Sequence, residues 1–209
     1  MPASARLAHP ARLAGVLYLG IILLGISAEA ALRAPLITWG DAAATQAALS
    51  AHEGLFRLSI LFDLGMAGLD VALAVVFFGM LREVNAQAAL MAMVFRLMQA
   101  AVIAGNILCL VAALQGDALL WLERHAIGYD VGLAFFAVNT AIMARLLWRI
   151  APRWICVAMA AAGAVYGLGS LTRLLVPDLN AMLQPAYAVP VLAEVSLMLW
   201  LLIWAPERP

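Results

Sequence analysis

The stretch LFRLSILFDLGMAGLDVALAVVFFG, residues 55–79, is apolar and long enough to cross a bilayer, yet it carries three formal charges, at Arg57, Asp63 and Asp70. A membrane-spanning helix needs about 20 predominantly apolar residues. An ionisable side chain within the hydrocarbon region is costly and therefore turns toward the interior of a helix bundle or a wet cavity. The stretch predicts a transmembrane helix whose charged side chains face other helices.

The composition of the whole chain points to the same class of protein. Hydrophobic residues make up 67% of the chain and charged residues 11%, and the mean hydropathy is +1.02. Soluble domains are about half apolar and a quarter charged, so the chain is predicted to be an integral membrane protein. The 12 basic and 12 acidic residues balance, which gives no electrostatic basis for a nucleic-acid partner. All the basic residues are Arg, which excludes catalysis by a lysine.

Hydrophobic segments long enough to span a membrane occur six times, and we predict an all-α fold forming one domain, residues 1–209. Asp41 is expected to cap a short interfacial helix at about 41–51. Arg6 and Arg12, followed by an apolar run and Ala28-Glu29-Ala30, resemble a signal peptide, but we interpret this segment as the first transmembrane helix. The predicted spans are 12–32, 54–81, 87–114, 128–149, 153–175 and 186–205.

Arginine placement predicts the orientation of the bundle. One side of the membrane would carry most of the arginines, and the positive-inside rule assigns that side, with both termini, to the cytoplasm. Arg33, Arg124 and Arg173 fall on the other side, with Arg57 near its edge. The arginines of the first group are Arg6, Arg12, Arg82, Arg145, Arg149, Arg153 and Arg208.

Residue counting places one buried ion pair. The second and third predicted helices are joined by the short turn at 82–86, so they run antiparallel side by side. Asp70 lies about as far before this turn as Arg96 lies after it, and at 1.5 Å per residue both side chains reach nearly the same depth. We therefore predict a structural Asp70–Arg96 ion pair.

Further polar residues of the other helices are expected near the outer half of the bundle. Asp63 shares a helix face with Asp70, and Asn106 shares one with Gln99, because each pair is seven residues apart. Since carboxylates outnumber guanidiniums here, one acid should be protonated or await a cationic partner. We predict that Glu29, Arg57, Asp63, Asn106 and Glu194 line one cavity. The candidate catalytic residues are Asp63, Glu194 and Glu29, and the candidate substrate-binding residues are Arg57, Gln99, Asn106, Asn139 and Tyr166.

No cofactor or metal site is predicted from the sequence. The histidines are scattered: His9 and His125 are expected in solvated segments, and His52 with Glu53 falls short of a metal-ligand set. Motifs of serine hydrolases, zinc proteases, P-loop proteins and dithiol oxidoreductases do not occur.

Several segments resemble a bacterial membrane family labelled domain-of-unknown-function 4386. The likeness is carried by RLAGVLYLGIILLGISAE (12–29), the stretch from Gly40 through 71, FRLMQAAVIAGNIL (95–108) and AEVSLMLWLLI (193–203). The resemblance implies a six-helix bundle in a bacterial cytoplasmic (inner) membrane, with no activity to carry over. Members often have a histidine in the fourth helix where this chain has Asn139, a difference that argues against a haem or metal at that position.

Three classes of function fit the predicted pocket. An intramembrane enzyme would use one carboxylic acid as proton donor and another carboxylate as base, acting on an isoprenoid or lipid substrate. A transporter would use the same acids as a proton relay or cation site. A sensor or accessory protein would use the pocket for binding alone. We favour a pocket for a lipid or small apolar molecule with acid–base groups, and an enzyme over a transporter, because the chain shows no internal repeat.

Overall fold

The computed structural model describes residues 3–204, with side chains described for residues 10–203. The side chains of Arg6 and His9 and the whole of Arg208 therefore lie outside the described residues. Within them the structure is all helical, with no strand, which confirms the predicted fold class.

The helices follow one another with short connections, and we number them in chain order. The first, α1, continues through a π-helical turn at Ser27–Arg33 and a 3-10 turn at Ala34–Leu36, and the last, α8, continues as a π-helical turn at Trp200–Trp204. The other bounds are α1 Ala3–Ile26, α2 Ala42–Ala51, a long helix Glu53–Ala113, α5 Ala118–Leu147, α6 Arg153–Leu175, α7 Pro177–Leu183 and α8 Ala188–Leu199.

The long helix is two membrane spans joined at Asn85. A continuous helix of 61 residues would be about 90 Å long, far more than the hydrocarbon core of a bilayer. At Asn85 the backbone is extended (φ −162°, ψ 105°), and its side-chain Oδ1 accepts a hydrogen bond of 3.0 Å from the backbone N–H of Ala88. The first helix, α3 (residues 53–84), therefore ends at Asn85. The Asn85 side chain N-caps the second helix, α4 (residues 86–113).

Six membrane spans follow from this break. Five helices of the described residues are long and apolar enough to cross a membrane, and Asn85 divides the longest of them into α3 and α4. The spans α1, α3, α4, α5, α6 and α8 agree with the predicted six-helix bundle. Asp41 caps α2 as predicted, with its side chain accepting a 2.9 Å hydrogen bond from the backbone N–H of Ala44.

The spans pack as a ring around a common interior. The α3–α4 hairpin contacts α1 and α5, α5 contacts α6, α6 contacts α8, and α8 closes the ring against α1. Asn85 and residues 148–152 form one end, which we call the turn end. Residues 34–52, 114–117 and 176–187 form the other, which we call the cavity end.

The start of α5 differs from the sequence prediction. This helix begins at Ala118, after Asp117 in a left-handed conformation (φ 50°), and not near residue 128. The extra turns carry His125 into the bundle, where it is only 7% exposed. The expectation that His125 lies in a solvated segment is therefore wrong, because its apolar neighbours continue the helix instead of forming a loop.

Candidate functional site

A buried ion pair joins α3 to α4, as predicted. Arg96 donates through both Nε (2.9 Å) and Nη2 (2.5 Å) to the same carboxylate oxygen of Asp70, and both side chains are 3% exposed. The other oxygen of Asp70 accepts a 3.3 Å hydrogen bond from Gln99 Nε2. Removal of either charge would leave the other buried without compensation.

Two aromatic rings contact the Arg96 guanidinium of this pair. The Arg96 guanidinium carbon lies 5.3 Å from the ring centre of Tyr18 and 5.1 Å from that of Phe136, which is the geometry of a cation–π contact. Toward the turn end, Asn139 Nδ2 donates to the backbone carbonyl of Ala92 at 2.7 Å and ties α5 to α4. The residues around Asn139 and Arg96 leave no room for a water molecule. This layer packs α5 against the α3–α4 hairpin on the turn-end side of the Asp70–Arg96 pair.

A second charge cluster lies at the cavity end and is centred on Arg33. Arg33 is 2% exposed and donates to Glu29 Oε2 through Nη2 (2.8 Å) and Nε (3.1 Å). It also forms a short hydrogen-bonded ion pair with Asp63 and lies 3.4 Å from Ser59 Oγ. Arg33 therefore bridges two carboxylates from different helices.

The π-helical turn at Ser27–Arg33 carries two members of this cluster. A π-helical turn widens the helix locally and occurs frequently at functional sites. Here the turn carries Glu29 and Arg33, and the Arg33 guanidinium contacts both Glu29 and the Asp63 carboxylate of α3. The Glu29 side chain is 64% exposed, so the cluster runs from a buried guanidinium to an accessible carboxylate.

A cavity of about 530 Å³ opens beside this cluster. Glu29, Arg33 and Asp63 form one wall, and Arg173 with Asp130, 3.5 Å from its Nε, lies on another. A volume of this size is in the range of small-molecule sites. The remaining lining residues are Gly25, Ile37, Trp39, Leu122, His125, Ala126, Tyr129, Leu133, Tyr166, Gln184, Tyr187 and Val191.

An apolar cleft of about 260 Å³ adjoins the cavity between α1 and α8. The two spaces share the lining residues Gly25, Tyr129, Tyr166 and Val191. The walls of the cleft are otherwise apolar, apart from Glu194: Ile21, Ile22, Ile26, Met66 and Val195.

The shape of the cleft follows from how α1 and α8 meet. At Gly15 the helices are so close that a side chain would collide with Leu202, including its backbone nitrogen. Further toward the cavity end they separate, and Ile26 and Val191 at the rim are each 54% exposed. The cleft therefore has an apolar rim that is exposed on the side of the bundle, between two helices long and apolar enough to span a membrane.

The Glu194 carboxylate lies in the cleft beside Tyr166. The Tyr166 hydroxyl donates a short hydrogen bond to Glu194 Oε1, and the Tyr166 ring packs against Phe136 with ring centres 5.4 Å apart. Tyr18 and Arg96 lie nearby, but Arg96 is already paired with Asp70. A hydroxyl and a carboxylate in this contact can share or pass a proton at the boundary between the apolar cleft and the polar cavity.

A family model described as Domain of unknown function (DUF4386) matches residues 13–204. The match includes every span and both charge clusters. The chain belongs to the DUF4386 family. No curated protein and no solved structure matches it significantly.

In this DUF4386 protein the structure brings together four of the predicted site residues. Glu29 and Asp63 line the cavity, Glu194 lines the cleft, and Tyr166 lines both. Their assigned chemical roles remain predictions.

The structure places the other predicted residues away from both spaces. Arg57 is exposed and pairs with Glu53 one turn away (2.6 Å), because it lies on the outer face of α3. Gln99 and Asn139 belong to the buried layer around Asp70 and Ala92.

Asn106 braces α5 instead of facing the cavity. Its Nδ2 donates a 2.7 Å hydrogen bond to the backbone carbonyl of His125. Gly128 allows this contact, because a side chain there would collide with the Asn106 amide. Asn106 therefore positions the turn of α5 from which His125 and Tyr129 reach the cavity.

Sequence reasoning missed most of the cavity wall, including the charged or titratable residues Arg33, His125, Tyr129, Asp130 and Arg173. Arg33 was placed in a loop after the first span, although its four-residue spacing from Glu29 is a helical ion-pair signal. His125 was missed because the start of α5 was placed too late, whereas Tyr129 and Asp130 lie just inside the predicted span, where the sequence alone did not indicate that they face the cavity. Among the described residues no group of three or more His, Cys, Asp or Glu side chains could hold a metal ion.

Proposed function

We propose that the protein binds a small amphiphilic molecule, with its polar group in the cavity and its apolar part in the cleft. The observation that carries this proposal is that a charge-lined cavity adjoins an apolar cleft with an exposed apolar rim, the two sharing four lining residues. Amphiphiles match such a surface because each part of the molecule meets a wall of its own polarity. Glu194 and Tyr166 lie where the two parts would meet.

An acid–base step on the bound molecule is the second element of the proposal. Glu194 and Tyr166 form a hydrogen-bonded pair that can exchange a proton with a ligand in the cleft. Asp63 is held by Arg33 and provides a second acidic group on the cavity wall. Together, the Glu194–Tyr166 pair and the Asp63 carboxylate support an enzyme acting on a lipid-like substrate.

Packing toward the turn end favours a binding site or enzyme over a transporter. A transport path would need polar access to both faces of the membrane. On the turn-end side of the cleft, the space next to Arg96 and Asn139 is too small for a water molecule. The site is open at the cavity end and at its side.

Binding is testable with variants at the rim. Val191 lines both spaces, and its neighbour Leu192 lines neither and is 67% exposed. We expect dodecanol, dodecylamine or dodecanoate to raise the unfolding temperature of the wild-type protein in maltoside micelles with saturation. Val191→Phe should weaken this effect about tenfold or more, because the larger ring occupies the ligand's space, whereas Leu192→Phe should preserve it. If no probe gives saturable stabilisation that depends on Val191, the proposed binding function is wrong.

We also propose that the cavity end faces away from the cytoplasm of a bacterial inner membrane, with both termini inside. Arg82, Arg145, Arg149 and Arg153 lie at or near the turn end, and arginine excess marks the cytoplasmic side. A fluorescent protein fused after Pro209 should therefore fluoresce, and alkaline phosphatase at the same place should be inactive. The same reporters inserted at residues 115–117 should give the reverse result. Active phosphatase after Pro209 would contradict this orientation.

A further inference from the structure

The surface of the cavity and cleft carries more negative than positive groups. Four carboxylates line the two spaces, from Glu29, Asp63, Asp130 and Glu194, against the guanidiniums of Arg33 and Arg173. Both guanidiniums are already engaged, Arg33 with Glu29 and Asp63, and Arg173 with Asp130. An anionic ligand would therefore meet an excess of carboxylates, with each guanidinium already next to at least one of them.

Glu194 is the carboxylate that lacks a cation. Among the described residues it makes no ion pair within 4 Å: the Tyr166 hydroxyl donates to it, the Tyr18 hydroxyl lies close, and the nearby Arg96 guanidinium is bonded to Asp70 instead. It lies about 9 Å along α8 from the start of that helix at Ala188, at 1.5 Å per residue, well inside the span. A carboxylate at such a depth is neutralised by a proton or by a cation.

The groups around Glu194 suit an organic cation. Tyr129 and Tyr166 line the cleft with it, and the buried Tyr18 hydroxyl lies close to the Glu194 carboxylate. Aromatic faces next to a carboxylate recognise ammonium groups, because the ring faces are negative and exclude water. A hydrated inorganic cation would instead need several oxygen ligands, and the cleft walls are mostly apolar.

We propose that the ligand is a lipophilic amine, whose ammonium group pairs with Glu194 against Tyr129 and Tyr166. This inference rests on the proposed amphiphile site and names its ligand class. The alkyl chain lies along Ile21, Ile22 and Val195 and leaves the cleft between Ile26 and Val191. The amine enters from the bilayer through this lateral opening.

A free amine fits better than a zwitterionic lipid headgroup. The phosphate of such a headgroup would lie next to the ammonium and near Glu29 or Asp130 on the cavity wall. A phosphate at Arg33 would compete with Glu29 and Asp63, and one at Arg173 would lie beside the Asp130 carboxylate. A simple ammonium meets no such cost.

The test compares probes with the same chain and different polar groups. Wild-type protein in maltoside micelles at neutral pH is titrated with dodecylamine, dodecanol, dodecanoate and dodecylphosphocholine, each below its micelle-forming concentration, and thermal unfolding is followed. We expect dodecylamine to bind at least about tenfold more tightly than dodecanol, and dodecanoate to bind least. If dodecylphosphocholine binds as tightly as dodecylamine and this binding depends on Glu194, the ammonium site is supported. The ammonium group of the natural ligand would then belong to a lipid headgroup.

Variants link the preference to Glu194. Glu194→Gln should remove the advantage of dodecylamine over dodecanol, whereas the exposed Glu53→Gln should retain it. Val191→Phe, at the rim of the cleft, should weaken dodecylamine binding while Leu192→Phe preserves it, and this comparison covers the case in which Glu194→Gln does not fold, because amine binding unaffected by Val191→Phe would place the ammonium outside the cleft. Equal binding of amine and alcohol by the wild-type protein would overturn the ammonium site while leaving the amphiphile site intact. Absence of binding by every probe would instead contradict the proposed function.

Discussion

Asp70→Asn is expected to destabilise the protein severely, with a cost of about 3–5 kcal/mol or a collapse in yield of folded protein. Asp70 is the carboxylate that accepts both hydrogen bonds from the Arg96 guanidinium, and both side chains are 3% exposed. The neutral amide would leave a positive charge confined between the rings of Tyr18 and Phe136. Thermal unfolding in maltoside micelles, together with the monodisperse yield, measures the effect.

Two further variants distinguish loss of the ion pair from loss of a carboxylate alone. Asp178→Asn makes the same chemical change at an exposed position and should stay within about 0.5 kcal/mol of the wild type. The double variant Asp70→Leu with Arg96→Met removes both charges, so it should recover much of the lost stability. Equal unfolding temperatures for Asp70→Asn and Asp178→Asn would show that the pair is not structural.

Arg33→Gln should have the second large effect, a loss of about 3 kcal/mol, because it leaves the buried Asp63 carboxylate without its cation. Asp63→Asn should cost less and yield a folded protein, since Arg33 keeps its 2.8 Å contact with Glu29. The effect of Asp63→Asn is thus expected to be mild because Glu29 still pairs with Arg33. The measurement is again the unfolding temperature, with ligand-induced stabilisation as the functional readout.

Arg57→Gln provides a matched control for Arg33. Its contact with Glu53 is also an ion pair with a residue four positions away, but the side chains are 61% and 50% exposed. Surface ion pairs contribute about 0–1 kcal/mol, so this variant should behave like the wild type. If Arg33→Gln and Arg57→Gln were equally stable, Arg33 would not be the centre of the cavity-end cluster.

Much of the bundle could be predicted because it depends on local rules. The spans follow from hydrophobic length, and the break at Asn85 follows from a short polar segment between two apolar ones. The Asp70–Arg96 pair was predictable because a tight turn fixes the register of the two helices on either side. Depth along an antiparallel hairpin then depends only on counting residues from the turn.

The candidate site was predicted less well, because it lies among helices that are distant in sequence. Counting residues placed Arg57 and Asn106 at suitable depths but could not tell which way their side chains point. The π-helical turn brings the Arg33 side chain into the bundle, and no spacing of residues in the sequence predicts that this turn is π-helical. The early start of α5 depends on burial of His125 against neighbouring helices.

By itself the sequence determined an all-helical membrane protein with six spans, an interior that must accept several carboxylates and one buried ion pair across a tight hairpin. Only the tertiary structure decided that Arg33 and not Arg57 serves Asp63, and that Glu194 faces a cleft with an exposed apolar rim between α1 and α8. The reason is physical. Hydrophobic length and turn geometry act within one segment, whereas the partner of a buried charge is set by helix rotation and by the close approach at Gly15, which depend on the packing of the whole ring.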